Sequence, residues 1–236
     1  MDTHFVTHRK PCPKCNSSDA VSINQNGSAK CFSCSTFFPK FHSDNVETIV
    51  TQKNHIMDVS EGEFAALKDR NISLETAKQY NVRVTKNDKG YINSHRYPYY
   101  IENDLVGHKI RKRDKNFSWE GRAADVGLFG QQLFKSKGKY ITLTEGECDA
   151  MAAYELTGSK WPCVSIRSGA AGAVRDVRNN LEFLESFENV IINFDSDNQG
   201  REAAKNVARL LSPGKAKLML LPDEFKDAND VLQANK

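Results

Sequence analysis

The sequence predicts a mixed fold: a small N-terminal β ribbon closed on a metal ion, an α+β segment, and a parallel-sheet α/β domain at the C-terminal end. Three observations predict it. Two Cys-x-x-Cys pairs, Cys12/Cys15 and Cys31/Cys34, stand fifteen residues apart near the N-terminus. A middle stretch alternates short strand-like runs with turn tetrads. From about residue 138, apolar strands and amphipathic helices alternate with short loops, which is the pattern of a parallel sheet covered on both faces.

Residues 1–40 form the ribbon. A Cys-x-x-Cys turn aims two sulfurs at one point, and two such turns complete a tetrahedral site for zinc. Asn26-Gly27 lies between the pairs and signals a hairpin. So short a module buries little core, so zinc is expected to hold it together and, with four protein ligands, to have a structural role. Lys14, Lys30, Phe32, Phe37 and Phe38 are candidates to meet a nucleic acid, unless the aromatics pack against the ribbon itself. Residues 41–56 are polar and aperiodic and read as a flexible linker.

Residues 57–137 read as α+β. Phe64, Ala65, Leu67, Ile72 and Leu74 suggest a short helix and a turn; Ser73 is a candidate cap for the helix that follows. VRVT, GYINSHRYPYY and LVGHKIRKR are predicted strands separated by turns at 87–90 and 102–104. In residues 138–236, KYITLTEG, CVSIRSG, NVIINFDSD and AKLMLLP are predicted strands. The intervening helices are CDAMAAYELTG, AVRDVRNNLEFLESF and QGREAAKNVARLLSPG.

Net charge is only +3, so the distribution of charge carries more information than its sum. Lys109, Arg111, Lys112, Arg113 and Lys115 crowd one strip, which reads either as a polyanion site or as a solvated surface. Alternation along a strand puts Lys109 and Arg111 on one face, with Lys115 past the strand end. Two other strands end in acids, Glu145 and the pair Asp195 and Asp197, and Asp227 follows a third. Ligands of open parallel sheets gather at the carboxyl ends of strands, so these carboxylates are expected in one crevice, where hard oxygens suit magnesium and phosphoryl chemistry. Glu147 and Asp149 follow Glu145, and Asp149 either joins the acidic cluster or caps the helix; Cys148 and Cys163 read as buried small hydrophobes. No run of about 18 apolar residues and no apolar signal core occur, which suggests an intracellular protein.

TEGECD followed by FDSDNQGR resembles the Toprim signature of primases, topoisomerases and related nucleases. Together with the four-cysteine ribbon, HKIRKRDKNF and KDAND, in that order over nearly the whole chain, it resembles the primase half of the bifunctional primase–helicases of short-tailed phages. The resemblance implies a DNA-dependent RNA primase that copies single-stranded DNA from ribonucleoside triphosphates into an RNA primer. It implies Glu145 at the general-base or metal-adjacent position, and Asp195 and Asp197 on magnesium with Asp227 assisting. Lys109 and Lys115 would contact the incoming nucleotide, with Arg111 between them. Lys112, Arg113, Lys30 and Phe32 complete the expected nucleic-acid contacts. It further implies a template-reading ribbon, a replicative helicase and a DNA polymerase as partners. Asn26 and Ser28 stand where better-known members carry an acid and a histidine used in template reading, so a different start signal is expected. The sequence has no Gly-x-x-x-x-Gly-Lys-Ser/Thr loop, so a helicase, fused or separate, lies outside it. A recombination mediator also joins a four-cysteine finger to a Toprim domain, but its finger follows a helical DNA-binding segment. A Toprim topoisomerase needs a large separate tyrosine domain; a nuclease is the remaining competitor.

Overall fold

The computed structural model describes residues 5–15, 17–34, 36–41 and 61–235. The chain divides into two compact units, Met1–His55 and Ile56–Lys236. Apart from residue 41, the predicted linker lies outside the described residues.

The first unit is a four-stranded antiparallel sheet, in order β1 (Phe5–Lys10), β2 (Val21–Asn24), β3 (Ala29–Cys31) and β4 (Phe37–Phe38). β2 and β3 are joined at the predicted Asn-Gly turn, where Gly27 takes φ +79° and its N–H bonds Asn24 O at 2.9 Å. The buried cluster comprises Cys12, Val21, Ala29 and Cys31. Half of it is therefore cysteine from the two Cys-x-x-Cys pairs, and large hydrophobes are few here.

In the second unit, the middle stretch folds into a second antiparallel sheet, ordered β5 (Arg83–Lys86), β6 (Ile92–Ile101), β7 (Asp104–Lys112) and β8 (Phe117–Gly121). Ser73 caps α1 (Leu74–Gln79) as expected, accepting the Thr76 N–H at 3.1 Å. The helix expected around Phe64 does not form. Glu63 bridges Val84 and Leu67 bridges Ile72, so that stretch is held as an extended edge ending in a 3-10 turn at Lys68–Arg70. Its backbone bonds go to a neighbouring strand, a tertiary contact that overrides local preference.

The C-terminal part is a four-stranded parallel sheet in the order β10 (Cys163–Ser165), β9 (Gly138–Thr144), β11 (Phe187–Asn193), β12 (Ala216–Leu218). Ile141, Leu143, Val190 and Ile192 pack with α3 (Gly169–Asn179), α4 (Leu181–Glu185) and α5 (Asn198–Ala208) in one core. α2 (Glu147–Leu156) and α6 (Ala228–Ala234) join the tyrosine-rich core under the antiparallel sheet, around Tyr80, Tyr97, Tyr99 and Phe129. Four consecutive small or flexible residues, Ala150–Ala153, let α2 fit there. The segment AVRDVRNNLEFLESF, expected as one helix, is two: Asn180 leaves the helical region at φ −119°, separating α3 from α4. The fold class matches the expectation. No helix among the described residues is long and apolar enough to cross a membrane.

Candidate functional site

The four cysteines converge. Their sulfurs all lie within 4.8 Å of one another, with Cys12–Cys34 at 3.8 Å and Cys15–Cys31 at 3.6 Å. Four sulfurs at about 2.3 Å from a central zinc would stand about 3.8 Å apart, so the cluster fits a tetrahedral metal ion with little movement. The aromatics beside it divide. Phe38 packs into the ribbon core and stacks edge-on against Phe41 at 5.5 Å, whereas Phe32 and Phe37 are each 60% exposed. Lys30 lies across from Phe37 in the β3–β4 register and 5.7 Å from the Phe32 ring. Asn26 and Ser28 are taken up by the hairpin: Ser28 is buried, donates from its N–H and hydroxyl to Asn26 Oδ1 (3.1 and 2.7 Å), and accepts from Asn24 Nδ2.

In the second unit the acidic crevice forms at the carboxyl ends of β9 and β11, but its membership differs from the expected one. One oxygen each of Asp149, Asp195 and Asp227 lies within 4.8 Å of the others. Of the two roles open to Asp149, it does not cap α2: the cap is Gly146, with no side-chain cap bond. Asp149 instead turns into the crevice, where it accepts the Asn229 N–H at 3.2 Å. A Cβ on Gly146 would lie 2.5 Å from the Asp149 carboxylate, so the glycine of TEGECD clears that path. Burial, then the charges of Asp227 and Asp195, push Asp149 well above the usual carboxylate range. Burial also raises Asp227, which caps α6 through the Asp230 N–H at 2.8 Å. Glu145 borders the group. One oxygen accepts the Ala170 N–H at 3.0 Å; the other is buried with no donor at normal hydrogen-bond geometry among the described residues. Burial and the nearby Asp195 and Asp197 raise its carboxyl.

Asp197 stands apart from that trio. It caps α5, accepting the Gly200 N–H at 2.9 Å, and that bond, with the Lys226 ammonium, lowers its pKa. Gly200 is required because a Cβ there would meet Asp195 O at 2.3 Å. Lys226 spans both acids of the Asp-x-Asp pair, 2.8 Å from Asp195 and 3.5 Å from Asp197, and these pairs raise its pKa.

The basic strip also resolves by face. Lys109 and Arg111 share one face of β7, both largely covered, and Lys109 donates to Glu147 Oε1 at 2.7 Å and to Arg167 O at 2.9 Å. Tyr99 donates to the same Glu147 oxygen at 2.6 Å. Arg111 turns toward Asp69, at 3.9 Å. His108 is buried and is not part of the cationic face; burial and the Arg96 guanidinium bring its pKa down to about 4. Lys112, Arg113 and Lys115 are exposed, with Lys115 in the β7–β8 turn at φ +66°. No role follows from the sequence for Arg167 or Lys226, and none specific to Glu147. For Asp149 a signal existed: an acid in the first helical turn after an acid-tipped strand.

Residues 142–232 match the family described as Toprim-like. The chain is 34% identical to the DNA helicase/primase of Enterobacteria phage T3 over 97% of its own length and 41% of that protein's. It therefore spans about two fifths of the length of that curated relative. It is similar to the solved primase fragment of the bacteriophage T7 primase–helicase, with a TM-score of 0.69 at 33% identity, covering 98% of this chain and 96% of that one. It also resembles a T7 primase domain solved with the lagging-strand DNA polymerase and bound to an RNA/DNA hybrid and dTTP. There the identity is 36%, the TM-score 0.66, and the coverage 75% of this chain and 88% of that one. With a four-cysteine ribbon, a Toprim-like sheet and a match that runs nearly end to end with the T7 fragment, the chain belongs to the primase family of the phage primase–helicases.

Proposed function

We propose that the chain is a DNA-dependent RNA primase that makes short RNA primers on single-stranded DNA. The observation that carries this reading is the juxtaposition within one unit: a carboxylate trio at the strand ends of a Toprim-like sheet, bordered by Glu145. The donor set fits magnesium: hard oxygens within 4.8 Å, Asp149 and Asp227 pushed up by burial and then by neighbouring carboxylates, and a buried Glu145 oxygen without a donor at normal hydrogen-bond geometry among the described residues. Asp149, Asp195 and Asp227 would hold it, with Glu145 beside them, and Asp197 would hold the entry of α5 in place. Magnesium, when bound, neutralises charge on the attacking and leaving oxygens of phosphoryl transfer.

In the reaction, the 3′-oxygen of the growing RNA attacks the α-phosphorus of a ribonucleoside triphosphate. The new P–O bond forms as the bond to pyrophosphate breaks. Glu145, with its raised carboxyl facing the crevice, takes up the hydroxyl proton. Lys109, fixed by Glu147 and Arg167 O, directs positive charge at the triphosphate; Lys115, Lys112 and Arg113 lie along the exposed end of the strip for the nucleic-acid backbone. The cysteine site takes zinc, and the ribbon reads the template. The T3 relative's name joins helicase and primase in one protein, and the T7 complex brings a polymerase to primase domains; both are carried to this chain as partners.

The test is extension of a short RNA annealed to a DNA template, with labelled ribonucleotides and magnesium. The native chain should lengthen the RNA, and Lys109→Met should slow it about 10²-fold, the order expected for a preorganised cation at a transferring phosphate. Shortened DNA in place of lengthened RNA would instead identify a nuclease.

A second expected result concerns the start site. Because the side chains of Asn26 and Ser28 are spent on the hairpin, base readout should fall to Lys30, Phe32 and Phe37. Lys30→Ala should shift or flatten start-site preference on a randomised template, by about 1–3 kcal/mol per lost base contact, and Ser28→Ala should leave the preference unchanged wherever the hairpin still folds. An unshifted preference in Lys30→Ala would remove this face from recognition.

A further inference from the structure

The turn between β10 and α3 touches two of the residues to which chemistry is assigned above. Its Arg167 carbonyl accepts from Lys109 Nζ at 2.9 Å, and its Ala170 N–H donates to Glu145 Oε1 at 3.0 Å. Its shape is unusual: Gly169 takes φ +65°, and Arg167 and Ser168 both turn their N–H groups away from the crevice. Both N–H groups end on one carboxylate oxygen, Oδ2 of Asp176, at 3.0 and 2.9 Å. Asp176 lies two turns along α3 and is only 4% exposed. Its other oxygen lies 3.4 Å from the guanidinium groups of Arg167 and Arg175 and from the Ser168 hydroxyl. Arg167 is further tied to the Ala123 carbonyl.

We infer that Asp176 is a positioning residue for primer synthesis: it clamps the Arg167–Ala170 turn so that one backbone carbonyl aims Lys109 and one backbone N–H aims Glu145. The physical basis is the paired hydrogen bond. A carboxylate accepting two backbone N–H groups fixes two consecutive peptide planes, and charge-assisted bonds of this kind are about twice as strong as neutral ones. Once the two N–H groups are held inward, the carbonyl of Arg167, in the same peptide plane as the Ser168 N–H, has a single outward direction, and the first turn of α3, which carries the Ala170 N–H, starts from a fixed place. Removing the clamp leaves those N–H groups unsatisfied, and the turn relaxes to recover partners, taking both contacts with it. A displacement of about 1 Å at a reacting group can cost about 10²-fold in rate.

What the turn needs is an acceptor at one place, and this separates clamping from simple charge or packing. Asp176→Asn keeps an oxygen in place. Asp176→Glu keeps the charge but moves the oxygens by a methylene. Asp176→Ala removes the acceptor. The inference rests on the primase reading, so extension of annealed RNA by the native chain is measured beside the variants. Absence of product from the native chain would sink that reading, while amide hydrogen exchange at residues 167–170 still reports on the clamp. The expected result is kcat within about threefold of native for Asp176→Asn, and lower by about tenfold or more for Asp176→Glu and Asp176→Ala. Template affinity should hold in all three, and exchange at 167–170 should be faster in the two slow variants. Lys109→Met combined with Asp176→Glu should be slowed by less than the product of the two single losses, because part of the Asp176 effect passes through Lys109. Should Asp176→Ala fail to fold, the Asn and Glu variants decide. Native kcat in Asp176→Glu, equal impairment of Asn and Glu, unchanged exchange at 167–170, or losses that multiply in the double variant would overturn the inference.

Discussion

Asp149→Asn and Asp195→Asn should each lower ribonucleotide incorporation by about 10²-fold or more, or roughly 2.7 kcal/mol at 1.36 kcal/mol per decade. Template binding should be retained, because neither side chain lies on the cationic strip. Asp149 is the more telling of the two. It is buried in the crevice beside Asp195 and Asp227, which push its pKa up after burial itself. The stability it lends the fold is therefore present at acid pH and is lost as the pH rises from the ordinary carboxylate value through the raised one. At neutral pH without divalent ions, Asp149→Asn should raise the melting temperature while abolishing the further rise that magnesium gives the native chain. A melting temperature insensitive to magnesium in the native chain, or full activity in both variants, would remove the trio from the mechanism.

Cys31→Ser should unfold the ribbon and abolish initiation without a primer, while extension of an annealed RNA by the second unit continues. The cysteine is both a member of the four-sulfur cluster and one of the buried residues at the ribbon's centre. Structural zinc contributes about 10–16 kcal/mol of apparent binding free energy to modules of this kind, far more than so small an apolar cluster supplies. Metal analysis should find one zinc per native chain, and a strong chelator should reproduce the variant's loss of initiation. Protein purified without chelator and found to lack zinc, yet initiating normally, would contradict this account of the ribbon.

The sequence made the ribbon and the parallel sheet legible for different reasons. Paired thiols at fixed spacing have few structural uses, and the runs around Ile141 and Ile192 are too apolar for any exposed setting. The Phe64 stretch and α6 were less legible because their partners are distant in sequence. Glu63 bonds Val84, and α6 packs on α2 about 80 residues earlier. The same limit applied within the site. Glu145, Asp195 and Asp227 were marked by strand ends, but the separation of Asp195 into the trio and Asp197 into a helix cap depends on side-chain direction. So does the turning of Asp149 into the crevice. The network of Lys109, Glu147 and Tyr99 joins the antiparallel sheet to helix α2 and had no local signature.

The measurement that bears most directly on the proposed activity is synthesis without a primer. The chain is incubated with single-stranded DNA of known sequence, the four ribonucleoside triphosphates, one of them labelled, and magnesium. The products should be dinucleotides and longer RNAs complementary to the template, absent when DNA or magnesium is omitted and strongly reduced in Asp195→Asn. DNA binding with no RNA product, or shortening of the DNA, would contradict the account.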